Sequence, residues 1–257
     1  MVAERKVRGC LNRSIALAGK LETETGHLAR NTALMFVGFG FLVRIRRLAQ
    51  AILQLGSQHA YEGRMLLRCM LEIEINYRWI HIQNRERRAN RFIKYHALER
   101  LKILEELPDS YNNPREYRRI YKKTKVECTK VRHLFRRRNK NGNLIWDKSW
   151  ASSTSFPSRL RDIQKSEKGK YDPFLYGLYR WTSSAIHGSI HSFSEVLEKN
   201  QKWQAKSQPE TNPLAQMVGA FAVITSTIRS LAIDANVFNL IEIELRKLEN
   251  ELDRMKE

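Results

Sequence analysis

MLLRCMLEIEINYRWI, residues 65–80, reads as a helix buried at the centre of a fold, with Arg64, Arg68 and Glu72 forming one i, i+4, i+8 line through otherwise apolar surroundings. Working outward, that helix covers about residues 59–83. An opening helix at about 4–27 and an apolar one at about 31–55 precede it, and a charged helix at about 86–107 follows. LPDSYNNP (107–114) breaks the chain, and Pro114 is placed to start the next helix, whose basic body is expected to continue to Arg138. Only 6 prolines and 12 glycines interrupt 257 residues, and the apolar positions recur at helical spacing almost throughout. The fold class is therefore all-α, a multi-helix bundle. Its simplest form is a single helical domain over residues 1–257 with one irregular insertion at about 139–170.

Within that insertion, NKNGNLIW (139–146) carries an Asn-Gly-type turn and SWASSTSFPSR (149–159) is rich in Ser. Trp146, Trp150 and Phe156 are expected to pack the loop onto the domain rather than stack bases, since a large ring left in water gains nothing from burial. After the connector NQKWQAKSQPETNP (200–213), the C-terminal helices occupy about 214–255 with a break near Asp234. Ile241, Leu245, Leu248, Leu252 and Met255 keep a four-three spacing that suits bundle packing.

A formal net charge of +19 favours a polyanionic partner, nucleic acid first and an anionic membrane surface a distant second. The excess is concentrated: residues 115–140 hold twelve Lys or Arg against Glu116 and Glu127 alone, which is +10 of the +19. Along PREYRRIYKKTKVECTKVRHLFRRRNK (114–140) the cations spread around the helix. Arg118, Arg119, Lys122, Lys123, Arg132, Arg136, Arg137 and Arg138 are the expected phosphate contacts, and Tyr117, Tyr121 and Phe135 supply a narrow buried seam. Cys10, Cys69 and Cys128 lie far apart without a CxxC pair, which points to free thiols in a reducing cytoplasm and to neither a zinc cluster nor a disulfide framework, and no cofactor is expected. The charged start MVAERKVRGC lacks a secretory pattern. Thr32 to Val43 and Leu214 to Ile228 read as core helices rather than membrane spans.

YDPFLYGLYRWTSSAIHGSIHSFSEVLEK (171–199) sorts differently. On a helix, Tyr176, Arg180, Ser184, His187 and His191 fall within about 40° of one line, while Leu178, Trp181, Ala185, Ile186, Phe193 and Leu197 lie across the opposite arc. His, Arg, Ser and Tyr are groups that bind phosphate and move protons near neutral pH. The other reading of this stripe is a partly buried polar seam between helices. Arg68 and Glu72 likewise have two readings: an ordinary helical ion pair, or a support that reaches the stripe and fixes an imidazole.

Arg180 and His187 are spaced R-x6-H, about 340° apart in helical phase, so both can reach one phosphate. An R-x4-6-H motif in an all-α domain resembles the HEPN superfamily, many of whose members are metal-independent ribonucleases in defence and toxin systems, phage defence included. RMLLRCMLEIEINYRWI (64–80), RFIKYHALER (91–100) and YGLYRWTSSAIHGS (176–189) are also similar to a broad bacterial domain family of unknown function, a likeness covering about residues 55–195. The resemblance implies RNA rather than DNA as the target and two domains brought together across a homodimer. It implies attack by a 2′-hydroxyl on its own phosphodiester, with His187 as general acid or base, His191 as second proton carrier, and Arg180 holding charge on the phosphorane oxygens. Tyr176 and Ser184 would orient phosphate. Trp181 departs from the pattern, which has a small or polar residue after the arginine. The alternative is a non-catalytic binding or regulatory module whose stripe is structural. Arg91 and His96 meet the same spacing, but Phe92, Ile93 and Tyr95 leave no polar stripe around them, so they read as an ordinary amphipathic-helix pair.

Overall fold

Local sequence signals open and close the helices in the computed structural model, which describes residues 2–56, 58–106, 114–147, 149–151, 154–166, 173–186, 197–200, 202–205 and 213–254. Helix α1 spans Val2–Thr25 and a short 3-10 turn follows at Gly26–Arg30. Thr32, in extended conformation, caps α2 (Ala33–Leu55) by accepting from the Met35 amide at 3.1 Å, and Gly56 ends it at φ 59°, where a side chain would be strained. Helices α3 (Ala60–His81), α4 (Arg85–Glu106) and α5 (Pro114–Val131) follow. A 3-10 turn at Arg132–Phe135 leads to strand β1 (Arg136–Arg138), paired antiparallel with β2 (Leu144–Trp146). Then come α6 (Phe156–Ser166) and α7 (Pro173–Ile186), a second hairpin of β3 (Leu197–Asn200) and β4 (Lys202–Ala205), α8 (Pro213–Asp234) and α9 (Glu242–Asp253).

The all-α class holds. Three local expectations differ. The basic helix stops at Val131 rather than Arg138; the stretch read as irregular contains α6, which Ser155 caps by accepting from the Ser158 amide at 3.3 Å. Leu197–Lys199, placed on the striped helix by the sequence, belong to β3.

Contacts divide the chain into two compact units, Met1–Trp79 with Ile163–Glu257, and Ile80–Asp162. In the first unit α1, α2 and α8 pack mutually, and α9 lies against α8 and α1. Leu11, Leu42, Ile45, Leu67, Leu71, Ile75, Phe221 and Ile228 are fully buried there, each contributing about 1.5–3 kcal/mol relative to exposure. Of the described helices, only α8 is long and apolar enough to cross a membrane, and two-thirds of its apolar window, 67%, is covered by the rest of the chain. The break after Asp234 is set by Asn236 at φ 55°, and Ile241, Leu245 and Leu248 are buried beyond it.

Buried polar groups of α3 pair with α8 inside this unit. The Glu74 carboxylate, 1% exposed, accepts hydrogen bonds from Ser226 at 2.5 Å and Thr227 at 2.7 Å, joining α3 to α8. Tyr77 donates to Asp234 at 2.8 Å and meets Phe41 edge-on at 5.8 Å.

In the second unit α4 packs on α5. Tyr117 donates to the Leu104 carbonyl at 2.8 Å and stacks on Tyr121 at 5.8 Å; Thr124, Cys128 and Phe135 continue that seam as buried residues. Trp150 meets Phe92 at 4.9 Å and Phe135 meets Tyr95 at 5.2 Å, pinning the hairpin and the following segment to α4.

Candidate nucleic-acid interface

With the Tyr117–Tyr121–Cys128 arc turned inward, the rest of the α5 circumference is left to water, and Arg118, Arg119, Lys122 and Lys123 are all exposed. Arg119, Lys122, Lys123, Val126, Glu127 and Lys130 line one shallow hollow of about 420 Å³. Arg132 is exposed in the 3-10 turn. Beyond it the chain is extended. The Asn139 side chain accepts from the amides of Asn141 at 3.0 Å and Asn143 at 2.9 Å, and Gly142 takes φ 77°, so a tight turn sets the strand register Arg136↔Trp146, Arg137↔Ile145, Arg138↔Leu144. This turn, together with burial of Phe135, stops the helix early. Arg136, Arg137 and Arg138 remain exposed but alternate across a strand instead of winding round a helix.

Beside the hairpin lies a cationic cleft of about 610 Å³, lined by Arg87, Asn90, Arg91 and Lys94 of α4 and by His133, Leu134, Arg136, Arg137 and Asp147. Its floor is an ion-pair knot. The Asp147 carboxylate, 4% exposed, accepts from Arg91 and lies 3.3 Å from Arg137 Nε. Arg91 also donates to the Trp150 carbonyl at 2.6 Å and to the Leu134 carbonyl, with its guanidinium over the Phe135 ring at 4.6 Å. One buried anion is thus matched by two cations at the floor. Arg87, Lys94, His133 and Arg136 are exposed around it. Such an arrangement leaves a positive potential in a concave, partly desolvated place, which suits phosphate oxygens.

Residues 80–162 contain 22 Lys and Arg against 9 Asp and Glu, so this unit carries +13 of the +19 and the other unit +6. Charge segregates with structure.

On α7, in the first unit, Arg180 is exposed while Leu178 and Thr182 are buried. Its neighbours turn inward onto two buried arginines of α3. Arg68 lies 3.8 Å from the Tyr179 ring centre, donates from Nε to Ser183 at 3.2 Å and pairs with Glu72 at 2.7 Å; Arg64, 1% exposed, lies 5.1 Å from the Trp181 ring centre and 5.2 Å from that of Tyr61. Arg68 therefore reaches α7, at Ser183 and Tyr179, and still makes the helical ion pair with Glu72. Glu72 is about half exposed at 49%. Tyr176 and Ser184 lie on α7, but their side chains are outside the described ones, and His187 and His191 lie outside the described residues altogether. Among the described residues no group of three or more His, Cys, Asp or Glu could hold a metal ion.

Arg87, Arg91, Lys94, His133 and Asp147 join the site although their sequence context does not single them out. Arg91, which by sequence pairs with His96 on an ordinary amphipathic helix, is the clamp of the cleft floor. The one local signal is Asp147, a single acid following a run of arginines, which needs a cation once buried.

A model of a family described only as a family of unknown function (DUF5677) matches residues 35–204. No curated protein and no solved structure matches the chain.

Proposed function

Since the chain belongs to the DUF5677 family of unknown function, we propose from its own residues that it is a nucleic-acid-binding protein, with RNA preferred, that grips phosphates through the 80–162 unit. The observation that carries this reading is the +13 gathered on that unit, displayed by exposed cations on α5, the hairpin and the cleft. Holding such charge together costs self-repulsion, and release of counterions from a phosphate backbone offsets it. The test is equilibrium binding of unrelated RNA sequences to wild type and to the Arg119→Ala, Lys122→Ala, Lys123→Ala, Lys130→Ala variant. Affinity should drop by a similar factor for every sequence, because these residues would meet backbone, not base edges. Unchanged affinity removes α5 from the interface. Binding to anionic vesicles without binding to RNA would make a membrane the partner.

The likeness to the HEPN superfamily extends the proposal to metal-independent RNA cleavage in a cytoplasmic defence or toxin system, with two α7 stripes meeting across a homodimer. Arg180 would stabilise the phosphorane, and His187 and His191 would move the protons. Exposure of Arg180, while Tyr179 and Trp181 turn onto Arg68 and Arg64, supports it. Trp181 then serves as packing, and its departure from the superfamily pattern leaves the solvent side of the helix unblocked. A binding or regulatory module that does not cut RNA is the alternative.

A further inference from the structure

Trp146 behaves unlike its neighbour Trp150. Trp150 is buried at 7%, whereas Trp146 is 41% exposed, at the end of β2, with the guanidiniums of Arg132 and Arg136 at 4.8 and 4.6 Å from its ring centre. An exposed indole offers an apolar face on which a flat partner can stack. Trp146 also forms a wall of a second cavity in the same unit, about 560 Å³ in volume, whose other apolar walls are Tyr95, Leu98, Leu101 and Cys128. That volume lies in the range of small-molecule sites, and polar residues share the lining with the apolar walls, Lys102, Lys125 and Arg132 as cations and Glu105 and Thr129 as acceptors. Asp147 lines both this cavity and the cationic cleft, so the two hollows meet at one residue whose position is fixed by Arg91 and Arg137.

We propose that Trp146 and the apolar cavity beside it receive one unstacked base of a single-stranded RNA whose phosphates lie in the adjoining cationic cleft. The inference rests on the nucleic-acid reading above and narrows it to single strands. A base has an apolar π-face and a polar edge; the ring and cavity walls meet the first, while Glu105 and Thr129 offer acceptors to the second. A duplex keeps its bases stacked and paired, so it can use the cleft but not the cavity.

The test uses the full chain with four probes at one salt concentration: a short single-stranded RNA, the same strand with abasic residues, its duplex, and inorganic polyphosphate. The intact strand should bind roughly tenfold tighter than the abasic one, since stacking on an aromatic side chain contributes on that order. Trp146→Ala should erase that gap, and Trp146→Phe should keep most of it. Equal affinity for intact and abasic strands overturns the proposal, and so does a gap that survives Trp146→Ala. The abasic comparison needs no variant, so it stands even if Trp146→Ala misfolds. Failure of all four probes to bind at low salt would instead remove the nucleic-acid reading on which this inference rests.

Discussion

At the residue scale, close approaches decide outcomes that propensity alone would get wrong. Gly38 lies within α2, where alanine normally gains about 1 kcal/mol over glycine. A Cβ there would sit 2.5 Å from the Tyr77 hydroxyl and 2.9 Å from a Leu231 methyl, and Tyr77 is held in place by Asp234. Overpacking of this kind costs about 1–3 kcal/mol, so Gly38→Ala should lower the Tm, and an unchanged or raised Tm would show that α2 and α3 can part. Arg91 presents the opposite case. Removing it leaves Asp147 buried beside the more exposed Arg137 and strips two carbonyls of a donor, so Arg91→Ala should cost roughly 3–5 kcal/mol in chemical denaturation. Lysine cannot reproduce the fork, so Arg91→Lys should recover little of the loss. Burial pushes the Cys10 thiol up, helped by its hydrogen bond to Glu251, and burial pushes Cys128 up against the opposing charge of Arg132. Both folded values exceed the unfolded ones. The resulting stabilisation is present below the ordinary thiol value of about 8.5 and is lost as pH rises through the raised folded values. Native-state alkylation of these two thiols should therefore take off at higher pH than alkylation of the denatured chain; coincident profiles would contradict the burial.

At the element scale, period and punctuation explain both what is legible in the sequence and what is not. Buried helices announce themselves, because 65–80 can hide only inside a bundle, and Pro114 and the break near Asp234 mark ends that the structure keeps. The exit from α5 is not legible from charge. Arginines suit a helix, and the decision lies in the Asn139 turn and in Phe135, whose burial is tertiary. The cleft is harder still, since Arg87 and Lys94 sit some 40 or more positions from their hairpin partners and look like any solvated helical charge. Trp146 differs from the expectation that it packs down, as Trp150 does, and is left open. For α7, the exposed Arg180 beside inward-facing Leu178 and Thr182 follows the helical phase read from the sequence. If Arg180 and His187 form a ribonuclease site, Arg180→Ala or His187→Ala should abolish cleavage that survives chelator and leaves a 2′,3′-cyclic phosphate, with salt-dependent binding retained. No cleavage by wild type, together with a lowered Tm for His187→Ala, would identify a binding module.

At the scale of the whole molecule, one unit has an apolar centre, while the other carries two-thirds of the net charge on fewer than a third of the residues, +13 of +19 in 80–162. That division of labour predicts that binding is governed by ion pairing with phosphates and hence by salt. The most direct measurement is the affinity for a generic single-stranded RNA across a salt series. On a log–log plot it should fall linearly and steeply, and replacing Arg118, Arg119, Lys122 and Lys123 by alanine should flatten the slope by roughly 0.7 for each phosphate that is no longer neutralised. A wild-type slope near zero, or one that the four replacements leave unchanged, would contradict the assignment of this unit to nucleic-acid binding.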